Sequence, residues 1–424
     1  TTHSCDHKFS VNPRCNQMFI DYDSMLNGHR KGSCMFLNGF PLIIEAAEFS
    51  IDSNRYGINA FNTRSFHDFQ RTEGKVNRIF TFAHIRTNRC LFVNTRFEEV
   101  FALGLSMAEV VLIAVNNDDI TSANQAMYLL DMGNWIQEPE VESFPSYSNQ
   151  HVRMWFLPSR ILWQDYLDQR WEQATGEVVT EVIFPSRHAA KSGQPCLTLH
   201  PIGVPHHPID EDPPFGGKSG FAPPPNPRIA PWWRLLHEKW NEQAIPEFSL
   251  SLEVTHHGPI LNVPSLFIEV GSTEPYWPNE DAAKLLAEVI HEGLGMNDKP
   301  SIGQWDSSHE GCPILVTLGG GHYAPKANKL ALAPNVWLGH MLANHSLPFG
   351  TQEDPGHLWK QSIDAALAST SIAYPGGMIV CNVEKKSFKG WQRQLIYAYL
   401  EKISVEVVRS NAFLEMVKGR HNGA

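Results

Sequence analysis

Twelve of the 20 histidines fall between His188 and His345, a stretch of 158 residues. Imidazole beside carboxylate is what proton transfer and divalent-metal binding require. Four clusters carry them: Ser186-Arg187-His188; His200-Pro201; Glu253-Val254-Thr255-His256-His257-Gly258-Pro259; and Gly319-Gly320-Gly321-His322-Tyr323-Ala324-Pro325. Glu269, with Gly271-Ser272-Thr273-Glu274, is a fifth, rich in carboxylates.

His256 and His257 close an apolar stretch, and Gly258-Pro259 stops strand pairing there. Neighbours on an ideal strand point to opposite faces, so both rings reach one ion only if the chain bends. The alternative is a strand-end pair bonded to backbone. The three glycines before His322 permit positive φ and let successive N–H groups turn toward an anion or a developing oxyanion; a plain tight turn is the competing reading. Arg187 could hold a phosphate or carboxylate, and His188 could act as base or ligand. Neither Gly-x-Ser-x-Gly nor His-Glu-x-x-His occurs, so serine-hydrolase and zincin readings lack support.

A basic run, Lys385-Lys386-Ser387-Phe388-Lys389-Gly390-Trp391-Gln392-Arg393, sits in an otherwise acidic region. Cations with aromatics at a loop-to-helix junction suit a phosphate backbone or a base. A solvated helix start with Trp391 packed inward is equally open.

The elements that must position these groups begin near residue 109. Residues 110–115 read as a strand buried on both faces, followed by a turn and a helix over 122–130 with Thr121 as its cap. Further strands are expected over 178–184, 196–200, 248–254, 265–270, 314–318 and 378–382. Helices are expected over 232–243, after Asn279, over 358–370 and over 390–402. Alternation of this kind predicts an α/β domain; its roughly 300 residues exceed the usual single domain and allow two lobes. Ten prolines between 201 and 231 exclude helix and central strand and point to a long ordered loop.

Residues 1–108 hold strand-like pieces over 35–44 and 79–83 but no chemical motif. They carry 12 Lys+Arg against 10 Asp+Glu, whereas the remainder carries 22 against 35. That break marks an N-terminal extension of unknown role, a domain over 109–410 and a tail over 411–424. The net charge of −11 argues against a general nucleic-acid coating protein. Seven scattered cysteines without a Cys-x-x-Cys pair read as free thiols and exclude a thiolate zinc knuckle. No apolar run reaches the ~20 residues of a bilayer span, and the first residues show no secretory leader.

Taken together, Thr255-His256-His257-Gly258-Pro259, Glu269-Val270-Gly271-Ser272-Thr273-Glu274 and Gly319-Gly320-Gly321-His322-Tyr323-Ala324-Pro325 resemble motifs of the archaeal and plant-type D-aminoacyl-tRNA deacylases. Further blocks agree in order: Arg170-Trp171-Glu172-Gln173-Ala174-Thr175-Gly176-Glu177-Val178, Ser186-Arg187-His188, Leu197-Thr198-Leu199-His200-Pro201-Ile202-Gly203, and Lys386-Ser387-Phe388-Lys389-Gly390-Trp391-Gln392. The likeness runs from about residue 110 to about 408. Pro185 departs from the leucine expected before Ser186.

The resemblance implies a phosphorylase/peptidyl-tRNA hydrolase-like α/β core with a mixed sheet. It also implies a cytoplasmic, zinc-dependent hydrolase that cleaves the ester between a D-amino acid and the tRNA 3′ end, including aldehyde-modified forms. The expected catalytic groups are His188, His256, His257, His322 and Glu253. The expected substrate contacts are Arg187, His200, Gly319, Gly320, Gly321, Lys386, Lys389 and Trp391, meeting the 3′ end and acceptor stem. The expected zinc ligands are His256, His257, Glu269 and His322, in a monomer with no membrane partner. The rival readings are another metal hydrolase, such as an exopeptidase or peptidyl-tRNA hydrolase, and a non-catalytic tRNA-end binder.

Overall fold

The computed structural model describes residues 107–421 apart from 159 and 244, together with seven strands in the first 95 residues. The chain divides into two units, Thr1–Met107 and Ala108–Ala424. In the first, β1 (Phe9–Asn12), β2 (Gln17–Asp21), β3 (Ser33–Leu37) and β4 (Phe40–Ile43) form one antiparallel sheet. A second sheet holds β5 (Asn62–Ser65), β6 (Ile79–Ile85) and β7 (Arg89–Thr95). The strand-like pieces read over 35–44 and 79–83 fall on β3, β4 and β6.

The second unit opens with β8 (Glu109–Asn116), whose Val110 to Val115 are buried on both faces, as their continuous apolar run requires. Helix α1 (Ile120–Met132) follows. Its cap is Asp119, not Thr121: the Asp119 carboxylate accepts from the Thr121 amide, which places the helix start two residues earlier than expected. A hairpin and a return strand, β9 (Ile136–Val141), β10 (Phe144–Asn149) and β11 (Val152–Leu157), were not anticipated from sequence. Helix α2 (Leu167–Thr175) leads to β12 (Val178–Arg187) and β13 (Cys196–His200), then α3 (Ile229–Gln243), β14 (Ser249–Leu252), β15 (Ser265–Gly271) and α4 (Glu280–Gly293).

These strands make one eight-stranded mixed sheet in the order β14-β13-β15-β12-β8-β11-β10-β9. β11, β8, β12 and β15 run parallel, while β13 pairs antiparallel with β15. That reversal matters for the site. The residue leaving β12 and the residues ending β13 reach the same stretch of β15 from opposite directions.

A second, parallel sheet has the order β17-β16-β18-β19, from β16 (Pro313–Leu318), β17 (Trp337–Leu342), β18 (Met378–Val383) and β19 (Glu406–Val407). Helices α5 (Pro325–Ala331), α6 (Leu358–Ala373), α7 (Gly390–Lys402) and α8 (Ser410–His421) accompany it. The two sheets are not separate lobes. One apolar cluster joins Ile113, Ile268 and Val270 of the large sheet to Leu315, Leu338, Met341 and Val380 of the small one. The residues expected as a C-terminal tail form α8, which buries Phe413 and Val417 in that cluster. Among the described residues no helix is long and apolar enough to cross a membrane. Cys196, Cys312 and Cys381 are free thiols.

Candidate functional site

The chemistry-bearing residues converge where the two sheets meet. β15 supplies the floor: Phe267 and Glu269, two apart, share one face. The His200 ring, ending β13, stacks on Phe267 with centroids 5.3 Å apart, and its Nε2 lies 3.7 Å from Glu269 Oε2. His188, one residue beyond β12, enters from the other end. Its Nδ1 lies 3.1 Å from Glu253 Oε1 and 3.4 Å from Glu269 Oε2. Gly271 makes room, since a Cβ there would sit 2.7 Å from that of His188.

Expectation held strand geometry through Val254, but β14 ends at Leu252. Beyond it the chain bends, with His257 at φ 34° and Gly258 at φ 94°. This left-handed turn brings the two rings together, at 4.0 Å between centroids, where an ideal strand would part them. The bend is itself held. The Thr255 hydroxyl and His340 Nδ1 are 2.9 Å apart, and His340 Nε2 is 2.8 Å from Ser369 Oγ, all buried.

His322 comes from the glycine loop after β16, and its Nε2 is 2.7 Å from Glu253 Oε2. Within that loop the Gly319 amide donates to Leu342 O and the Gly320 amide to Ser387 Oγ, so both are engaged inside the protein. What Gly319 provides is close approach: at φ 93°, a Cβ there would lie 2.6 Å from Phe388. Gly320 and Gly321 face open space. The basic loop is therefore packed directly on the glycine loop. Lys385, Lys386 and Lys389 are exposed, whereas Arg393 donates to the carbonyls of Lys385 and Phe388. Trp391 is half-buried, edge-on to Phe349.

Arg187 is exposed beside His188, with its guanidinium 4.8 Å from the centroid of the Trp277 ring. Its amide donates to Asp119, and the Trp277 indole donates to the His188 carbonyl. Trp277 and Asp119 thus fix the β12 exit, a task no local sequence signal marks. Tyr323 is a further residue missed: its hydroxyl is 3.2 Å from His188 Nε2. The available signal was its place next to His322.

Electrostatics divide the histidines. Burial, with the nearby His200, lowers His256 to about 3, and burial with His256 holds His257 well below its usual value. Both are neutral imidazoles with lone pairs to offer. Burial also opposes charge on His188 and His200, but Glu269 and Glu253 outweigh it and raise both. Burial pushes Glu253 up, yet the His322 hydrogen bond and neighbouring imidazoles bring it down to about 2; Glu269 is lowered by His188 and His200 in the same way.

Among the described residues, three donor groups could each hold a metal ion: His200, His256 and His257; Glu253, His256 and His322; and His188, Glu253 and Glu269. The ring nitrogens His200 Nε2 and His257 Nδ1 are buried without a hydrogen-bond partner, which fits a site completed by an ion. The nitrogen–oxygen donor set, free of thiolate, suits zinc and other divalent ions alike. Glu269 groups with His188 and Glu253, and His200 joins the His256–His257 pair.

This is an α/β protein with a half-buried imidazole–carboxylate centre of the kind that binds a metal or moves protons at a hydrolytic site. A family model described as D-aminoacyl-tRNA deacylase matches residues 175–408. A D-aminoacyl-tRNA deacylase of Arabidopsis thaliana is 44% identical over 321 residues, covering 72% of this chain and 99% of that protein. One of Thermococcus onnurineus is 31% identical over 269 residues, covering 62% and 86%. A solved structure of a conserved protein of unknown function, 24% identical, superposes with a TM-score of 0.58 over 73% of this chain and 98% of its own, and shares the fold. The chain belongs to the D-aminoacyl-tRNA deacylase family.

Proposed function

We propose that this protein hydrolyses the ester bond of D-aminoacyl-tRNA in the cytoplasm, releasing the D-amino acid and tRNA, with zinc as its metal. The observation that carries the reading is the convergence of His188, His200, Glu253, His256, His257, Glu269 and His322 at one centre. Family membership gives that centre its substrate class.

A zinc ion fits either triad that contains His256: with His200 and His257, or with Glu253 and His322. When bound it supplies Lewis acidity and lowers the pKa of water. The chain's own groups do the rest. Glu253 orients His322 through the 2.7 Å contact and stays ionised across the neutral range. His188 turns Nδ1 toward the Glu253 and Glu269 carboxylates, which favours a proton on that nitrogen, and its Nε2 pairs with the Tyr323 hydroxyl. Burial of His188, His200, Glu253 and Glu269 excludes bulk water from the inner side of the centre.

Around the centre, Arg187 on Trp277 offers a guanidinium to a phosphate of the 3′ end. The loop bearing Lys385, Lys386 and Lys389, seated on the glycine loop, meets the acceptor stem. The open space at Gly320 and Gly321 leaves room for the terminal nucleotide. Deacylation of matched D- and L-tyrosyl-tRNA, with and without chelator, tests the whole reading.

A further inference from the structure

The segment after β11 and the proline-rich loop carry aromatic rings that the core does not take. Trp163 is 43% exposed, Tyr166 42% and Phe215 62%. Isolated exposed apolar side chains are ordinary; several presented by adjoining segments call for an explanation. The segments are adjoining because glycine allows it. A Cβ on Gly216 would lie 1.8 Å from Leu162 O, and one on Gly217 would lie 2.8 Å from Gly258 O. The backbone of Gly216 therefore runs against that of Leu162, next to Trp163, and the backbone of Gly217 against that of Gly258.

The same segments are tied to the histidine centre. The Tyr166 amide donates to Ile260 O at 2.7 Å, and the Ile260 amide donates to the Asp165 carboxylate at 2.8 Å. Ile260 is three residues beyond His257, a chain reach of at most about 10 Å. The aromatic rim thus begins on the His257 side of the centre. The lysine loop is fixed to the glycine loop that carries His322.

Two cations accompany the rings. The Arg160 guanidinium lies 4.8 Å from the centroid of Trp163, and Lys218 is exposed next to Gly217. Acids sit in the same loop: Asp210, Glu211 and Asp212 are all exposed or nearly so. A duplex, with its dense phosphates, is poorly matched to that mixture. Unpaired nucleotides are well matched, because bases stack on aromatic faces and only a few phosphates need a cation.

We propose that Trp163, Tyr166 and Phe215, with Arg160 and Lys218, form a stacking platform for the unpaired nucleotides at the tRNA 3′ end. The proposal rests on the deacylase reading for the identity of that RNA. It assigns the single-stranded end to the aromatic rim and leaves the paired stem to the lysine loop.

The test uses the full chain carrying Trp163→Ala and Phe215→Ala together, and a second variant with Trp163→Phe and Phe215→Tyr. Three quantities are measured: KM for D-aminoacyl-tRNA, hydrolysis of a D-aminoacyl ester of adenosine alone, and binding of a short unpaired oligoribonucleotide ending in CCA. Loss of one stacked base weakens binding roughly 5- to 150-fold. The alanine variant should therefore raise KM for the tRNA and weaken the oligonucleotide to that extent, with an unchanged salt slope. The loss should be confined to substrates bearing unpaired nucleotides, and the aromatic replacements should restore binding.

Unchanged oligonucleotide affinity overturns the platform. So does an equal loss on the adenosine ester, which would make the rings supports of the centre, or a loss that the aromatic replacements do not repair. If the unaltered protein cleaves no D-aminoacyl ester, the deacylase reading fails, and the oligonucleotide arm still decides the platform.

Discussion

His322 Nε2 lies 2.7 Å from Glu253 Oε2, so a side chain of the small sheet's glycine loop is bonded to one that follows β14 in the large sheet. The neighbouring backbone repeats the link, with the Val254 amide donating to His322 O at 3.0 Å. The centre exists only because the two sheets are docked, and Glu253 is the residue that both halves use.

Glu253→Gln should therefore cost more than any single imidazole. It removes the charge that orients His322 and holds the proton on His188, and kcat should fall by roughly 10²- to 10⁴-fold, the range for a lost acid–base group. The amide is nearly isosteric, so the urea midpoint serves as the control. A kcat within threefold of the unaltered protein would remove Glu253 from the machinery.

Neutralising Lys385, Lys386 and Lys389 together should raise KM for tRNA and flatten its dependence on salt by about one unit of slope per lost phosphate contact. An unchanged slope would mean that these lysines are only a solvated helix start.

Stability toward acid should depend on a pair away from the centre. Arg228 Nε lies 2.6 Å from Glu181 Oε2 and Nη2 lies 2.8 Å from Oε1, with Arg228 fully buried. Burial raises Glu181, but the Arg228 charge and hydrogen bonds outweigh it, and the carboxyl is held below its usual 4.5. Its contribution is present above pH 4.5 and is lost as pH falls through the lower folded value. Glu181→Gln strands a buried guanidinium and should cost about 3–5 kcal/mol at neutral pH. The difference from the unaltered protein should shrink below pH 4.5, read from urea midpoints; a pH-independent difference would contradict this.

A chain beginning near residue 105 should fold and retain D-selective hydrolysis. All twelve strands from 109 to 407 pair among themselves in the two sheets. An insoluble product, with the full chain soluble under the same conditions, would show that the first unit covers apolar surface of the second.

Much of this arrangement is legible in the residues, and what is not has physical causes. The buried strands β8, β12, β15 and β16 announce themselves as continuous apolar runs. β9 does not, because Ile136–Val141 reads Ile-Gln-Glu-Pro-Glu-Val at the edge of the sheet, where no strong period is imposed, whereas the interior strand β11, Val-Arg-Met-Trp-Phe-Leu, is an apolar run that the sequence reading passed over. The motif histidines point to a centre, but not to how they converge. Strand geometry places His256 and His257 on opposite faces, and only the left-handed turn at His257 and Gly258, set by long-range packing, reunites them. The glycine run suggested amides aimed at an anion. Gly319 and Gly320 instead spend theirs on Leu342 and Ser387, partners 23 and 67 residues away in the chain, which no local reading could find. Asp119 and Trp277 are invisible for the same reason.

The most direct measurement compares single-turnover hydrolysis of D-tyrosyl-tRNA and L-tyrosyl-tRNA by the full chain, before chelation, after it, and after zinc is returned. The account predicts rapid release of the D-amino acid, little of the L, loss of activity on chelation and recovery with zinc. Equal rates on the two tRNAs, or full activity in thoroughly metal-free protein, would contradict it.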